Sequence, residues 1–270
     1  SAMQPPPAAH AEHAGHAGKA LPLTGLRVVE FTHMVMGPTC GMVLADMGAE
    51  VIKVEPIDGD RTRHLLGAGA GFFPMFNRNK KSMAVDLKKP GGKEVVYRLV
   101  AQSDVFLSNL APSMLDGWGL SYDKLKAIKP DIVYATNTGY GRFGDVNRPS
   151  FDSTVQAITG IMARGGEPGQ PPIYLGMGSG DAYGGIMSAL GIVLALLQRK
   201  RTGKGQRLDA SLYGAQLFLA APMLQAYLAG DQSAALQSSR KQVANPLWNL
   251  YPTRGKWVFV CEPNEDARFA

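Results

Sequence analysis

The stretch LRVVEFTHMVMGPTCGMVLADMGAEVIKVE, residues 26–55, decides the fold. It opens with β-branched residues at Leu26–Glu30, passes through a loop at Phe31–Thr39, and continues into an apolar run at Cys40–Met47 that reads as a helix. Gly48 stands where a helix C-terminus wants a left-handed residue, and Ala49–Glu55 then alternates as a strand does. One strand–helix–strand unit is therefore complete by Glu55.

Working outward, a second unit has Ser82–Leu87 as strand, Pro90–Ala101 as a helix begun by proline, and Asp104–Ser108 as strand. Lys124–Ile128 predicts a short helix and Asp131–Thr136 another strand. Strands alternating with helices at this spacing predict a mostly parallel sheet covered on both faces, so the fold class is α/β and Rossmann-like. No G-x-G-x-x-G follows the first strand. Its glycines would let backbone approach a pyrophosphate, and their absence speaks against a nicotinamide or flavin dehydrogenase. From Phe151 onward the chain turns to glycine-rich loops and long apolar helices, Ala182–Gln198 and Leu212–Ala229, separated by the strand Arg207–Ala210.

With 270 residues and 45% apolar composition, the chain can bury a sizeable core in one large domain or two modest ones. Residues 1–20 are rich in Pro, Ala, Gly and His and lack the basic start and apolar stretch of a secretory signal, so they read as a disordered tail with a cloning remnant. The longest apolar run, Ile186–Leu197, is broken by Ser188 and Gly191 and falls short of the roughly 20 residues that cross a bilayer, which predicts no membrane span. Cys40 and Cys261 form neither a disulfide scaffold nor a metal-binding spacing, a usage that fits a reducing cytoplasm and no metal. The net charge of +6 raises the question of nucleic acid. The basic residues are scattered through Lys80-Lys81, Lys88-Lys89 and Arg199-Lys200-Arg201 rather than forming an aromatic-interleaved stripe, which favours an anionic small molecule over nucleic acid.

A series of segments, in order, carries a resemblance. These are Phe31-Thr32-His33 with Gly37-Pro38, the run Leu44–Glu55, Asn77–Ser82, Asp86-Leu87-Lys88, Ser103-Asp104-Val105 with Asn109, Gly139-Tyr140-Gly141, Gly180-Asp181 and Thr202–Gln206. Each is weak alone, but the ordered set is specific and resembles the family III CoA-transferases, the group with formyl-CoA and carnitine CoA-transferases. The resemblance implies a CoA-binding Rossmann-like large domain over 21–221, then a linker and the start of a small, truncated domain over 222–270. It also implies an intertwined homodimer, with coenzyme A as a substrate.

For the site, the resemblance implies that Asp181 is the carboxylate transiently acylated during transfer. Gly176–Gly180 before it and Gly184-Gly185 after it allow close approach by a bulky acyl-CoA. From the residues alone, the favoured reading of Asp181 is an N-cap of the helix from Ala182. By position, His33, Val35 and Met36 after the first strand, Val85 and Lys88 in the second unit, and Asn109 with Leu110 fall where the family contacts CoA. His33 also reads as a hydrogen-bonded loop residue and Lys88 as a surface lysine. Val35 stands where formyl-CoA transferase carries glutamine, which argues against strict formyl-CoA and oxalate specificity. Pro56 replaces an arginine of that enzyme, and Arg61 or Arg63 is a candidate to restore the charge.

The racemase branch of the same family abstracts a proton with a His–Asp pair. Here Phe151 stands at the histidine position, beside Asp152, and phenylalanine carries no proton. Asp152 is expected either to orient substrate or to cap a helix over Thr154–Ile161. A third alternative is a CoA-binding fragment without catalysis.

Overall fold

In the computed structural model, the opening unit consists of β1 (Arg27–Phe31), α1 (Met36–Asp46) and β2 (Glu50–Glu55). Residues 20–143, 148–165, 167–176, 178–231 and 246–261 are described, so the expected tail over 1–20 lies outside them apart from Ala20. Gly48 follows α1 with φ 99°, the left-handed turn expected of it. The helix starts four residues earlier than the apolar run suggests, because Gly37 lets it press on the preceding loop. A Cβ at Gly37 would meet Thr32 at 2.6 Å.

The chain continues through 3₁₀ turns at Arg61–His64 and Gly67–Gly71 and the short helix α2 (Phe72–Phe76) to β3 (Lys80–Ala84). Next come α3 (Pro90–Ala101), β4 (Val105–Ser108), α4 (Pro112–Trp118), α5 (Tyr122–Ile128) and β5 (Val133–Thr138). The short helices α6 (Asp152–Ile158) and α7 (Ile161–Arg164) lead to the long α8 (Ser179–Thr202) and β6 (Gln206–Ser211). The expected helix over 212–229 is two, α9 (Leu212–Leu219) and α10 (Ala221–Leu228), because Pro222 can open a helix but not continue one. A two-stranded antiparallel ribbon, β7 (Trp248–Pro252) and β8 (Trp257–Cys261), follows.

The six strands β1–β6 form one parallel sheet in the order β3-β2-β1-β4-β5-β6. Both faces are buried, as parallel sheets require. On one face Val28, Val105, Leu107 and Val133 pack against Cys40 and Leu44 of α1 and Ala189, Ile192 and Ala195 of α8. On the other, Val29, Phe31, Phe106 and Tyr134 meet Val96 and Val100 of α3 and Leu125 of α5. Phe106 stacks on Tyr134 with ring centroids 4.9 Å apart, adding roughly 0.5–1.5 kcal/mol to its burial. At 24 residues, α8 has the length and apolarity of a membrane span, contrary to the reading of its broken apolar run. It lies against α1 and the sheet, with Gly184, Gly185 and Ser188 buried at the contact.

Candidate functional site

The strand order changes direction between β1 and β4, and in an open parallel sheet the crevice beyond the strand ends at that point is where ligands bind. Two sequence-predicted residues meet there. The His33 amide donates to Asn109 Oδ1 at 3.0 Å, and Asn109 Nδ2 donates back to the His33 carbonyl at 2.8 Å. This reciprocal clasp joins the loops after β1 and β4. Crowding by the surrounding chain lowers the His33 pKa, with Asp60 opposing and Lys53 reinforcing, so its exposed ring is neutral near pH 7.

The β1 loop rests on a buried ionic network. Lys53 Nζ lies 3.0 Å from Asp60 and donates to the Thr32 carbonyl at 2.6 Å, while Lys80 Nζ reaches Glu30 at 2.8 Å. Thr62 Oγ1 accepts the Met34 amide at 3.0 Å. Arg63 is committed to this scaffold: its guanidinium pairs with both oxygens of Glu55 at 2.8 and 2.7 Å and stacks 3.8 Å over Phe73. Burial alone would raise the Glu55 pKa. The hydrogen bonds from Arg63, Ser82 and the Asp60 amide outweigh it and bring the carboxyl down to about 2.

Val35 and Met36 are buried at the start of α1. Val85, also buried, lines a cleft of about 350 Å³ with Met83, Asp86, Lys89 and Gly92. Lys88 is exposed, and its amide donates to Asp86. Leu110 is half-buried, its amide bonded to Ser108 Oγ. All these residues follow strand ends of one parallel sheet and therefore share one edge.

Asp181 reaches the same edge by a different route. A helix linking parallel β5 to parallel β6 must run antiparallel to them, so the first turn of α8 lies at the carboxyl edge of the sheet. The next turn presses on the first turn of α1: a Cβ at Gly185 would meet the Met36 carbonyl at 2.6 Å, and one at Gly184 the Met36 methyl at 2.7 Å. Gly178, with φ 56°, turns the chain into the helix three residues before the expected start. Asp181 consequently sits inside the first turn and is not the N-cap.

The capping function falls to Asp152. It is the first residue of α6, with no cap bond to its own helix, and its Oδ1 accepts the Asp181 amide at 3.1 Å. Gln156 donates to Oδ2 of the same carboxylate, and Gln216 Nε2 donates to Oδ1 at 3.1 Å. Both glutamines are fully buried. Sequence reading missed them; a lone polar residue in the apolar run Leu212–Leu219 was the available signal. Burial first, and the neighbouring Asp152 charge second, push the Asp181 carboxyl up to about 7. Phe151, beside them, is 65% exposed.

Among the described residues no group of three or more His, Cys, Asp or Glu could hold a metal. Burial pushes the Cys40 thiol up to about 12, which leaves it protonated and inert.

Fold and site together define an open α/β protein with a helix-borne carboxylate of raised pKa at the ligand edge of its sheet. The chain matches CoA-transferase family III over residues 23–270 and belongs to that family. It is 38% identical over 256 residues to succinyl-CoA–D-citramalate CoA-transferase of Chloroflexus aurantiacus, covering 92% of this chain and 63% of that protein. It is 40% identical over 195 residues to formyl-CoA:oxalate CoA-transferase of Rhodopseudomonas palustris, covering 70% of this chain and 46% of the relative. The crystal structure of a CAIB/BAIF family protein from Brucella suis superposes with a TM-score of 0.81 at 35% identity, covering 90% of this chain and 66% of that one. The chain thus spans about two thirds or less of these relatives.

Proposed function

We propose that this chain is the CoA-binding part of an enzyme that moves coenzyme A from an acyl-CoA to a free carboxylic acid, with Asp181 as the acylated carboxylate. The observation that carries the reading is the Asp181 carboxyl, partly buried in the first turn of α8 and raised to about 7. A carboxylate of that basicity is a better nucleophile than an ordinary aspartate and is still substantially ionised at neutral pH.

In the proposed sequence, the ionised Asp181 attacks the donor thioester carbonyl and the C–S bond breaks, giving an aspartyl–acyl anhydride and CoA thiolate. The thiolate attacks the aspartyl carbonyl, forming an aspartyl-CoA thioester and releasing the donor carboxylate. The acceptor carboxylate attacks this thioester, again expelling the thiolate, which then takes the acceptor acyl group and frees Asp181. The amides of Asp181 and Ala182 are already engaged, by Asp152 and by the Gly178 carbonyl, so other donors serve the developing oxyanions.

Coenzyme A lies along the sheet edge, approached by His33, Val35, Met36, Val85, Lys88, Asn109 and Leu110, with Phe151 and Asp152 beside the acyl end and Arg63 holding the scaffold beneath. Residues 21–221 form the CoA-binding domain and 222–270 a linker and part of a smaller one, in a cytoplasmic homodimer. The names of the relatives, all acting on CoA and carboxylic acids, support this reading. Incubating the full-length protein with labelled acyl-CoA and a panel of carboxylic acids tests it: label should move between acids, and no exchange with any pair would refute it.

A further inference from the structure

We infer that Gln216 is a positioning residue for the site proposed above: its carboxamide holds the Asp152 carboxylate against the backbone amide of Asp181 without neutralising it. The inference rests on that reading of Asp181.

A fully buried carboxamide in an otherwise apolar helix is costly unless both its ends are bonded. Gln216 meets that condition around one carboxylate. Its Nε2 donates to the Asp152 carbonyl at 3.2 Å and to Oδ1 at 3.1 Å, and its Oε1 accepts from Thr159 Oγ1 at 3.2 Å. Gln156 secures the other oxygen and accepts the Leu175 amide at 3.2 Å. The two glutamines leave Asp152 one orientation, in which Oδ1 also takes the Asp181 amide. The carboxamide lies directly beneath the turn that carries Asp181, since a Cβ at Gly180 would fall 2.2 Å from Gln216 Nε2.

The choice of glutamine has an electrostatic consequence. An arginine or lysine in its place would fix Asp152 equally well and cancel its charge; a neutral amide fixes the carboxylate and leaves its field intact. Among the described residues, Asp152 is the charge that shifts Asp181, and Tyr174 is raised by burial and by the two aspartates.

The test is a ¹³C NMR titration of aspartate-labelled chain, with D181N assigning the Asp181 signal. In Q216L, Asp152 loses the donor that fixes Oδ1, one of its two orienting glutamines, and the Asp181 midpoint should fall from near 7 by about one unit, a tenfold loss of proton affinity. D152N should shift it in the same direction, and Q216L added to D152N should shift it no further. Should Q216L fail to fold, Q156L frees the other oxygen and carries the same expectation. An unchanged midpoint in the folded glutamine variant, or shifts of Q216L and D152N that simply add, would overturn the inference. Because the titration needs no acyl transfer, absence of acylation at Asp181 would refute the proposed function and leave this result standing.

Discussion

The backbone amide of Asp181 donates to the Asp152 carboxylate at 3.1 Å, so an acid at the start of one helix closes the amino end of another. An N-terminal turn ordinarily favours a negative side chain. Here burial and the second carboxylate win, and Asp181 ends with a raised pKa.

That shift makes stability depend on pH with a definite sign. The folded pKa of about 7 lies above the ordinary 3.8, so the contribution is complete below about pH 4 and is lost as pH rises through 7. Asp181→Asn removes the ionisation and should gain on wild type between pH 4 and 8 by up to about 4 kcal/mol. Urea unfolding at the two pH values measures it; an equal difference at both would contradict the assignment.

Gly185 lies where α8 touches the α1 backbone. Gly185→Ala places a methyl against the Met36 carbonyl, which cannot swing aside as a side chain would, and should cost about 1–3 kcal/mol in thermal or urea unfolding. A neutral effect would mean the helices separate easily.

Lys53 is buried between Asp60 and Glu30. Lys53→Met strands the Asp60 carboxylate, while Glu30 keeps Lys80, and should cost about 3–5 kcal/mol, whereas Lys81→Met, at an exposed pair, should stay within about 0.5 kcal/mol. The depressed carboxyls of Glu55 and Asp60 stabilise above the ordinary carboxylate range, and that contribution is lost as pH falls toward 2. Arg63→Gln should therefore move acid unfolding to higher pH, read by circular dichroism.

Asn109→Ala opens the clasp to His33. With two hydrogen bonds lost from the loop at the switch point, CoA affinity measured by calorimetry should fall about tenfold. Unchanged affinity would place coenzyme A elsewhere.

The opening unit was legible because apolar periodicity and Gly48 speak directly of local structure. Where tertiary contacts intervene, the reading slipped. The strand expected at Ser82–Leu87 is β3 at Lys80–Ala84, since its backbone pairs with β2 from Val51 opposite Lys80 onward, a register that no local pattern reveals. The order that puts β6 at the edge is likewise a matter of pairing between distant segments. At the site, Asp181 could be singled out, but the positive φ of Gly178, which takes it off the cap, could not. The Asp152–Gln216 contact joins residues 64 apart and becomes visible only in three dimensions.

The central claim is tested most directly by mass spectrometry of full-length protein quenched after mixing with an acyl-CoA. The account predicts an acyl or CoA increment on the peptide containing Asp181, forming faster as pH rises through 7 and absent in Asp181→Asn. An increment that persists in that variant, or none with any acyl-CoA that the enzyme turns over, would contradict it.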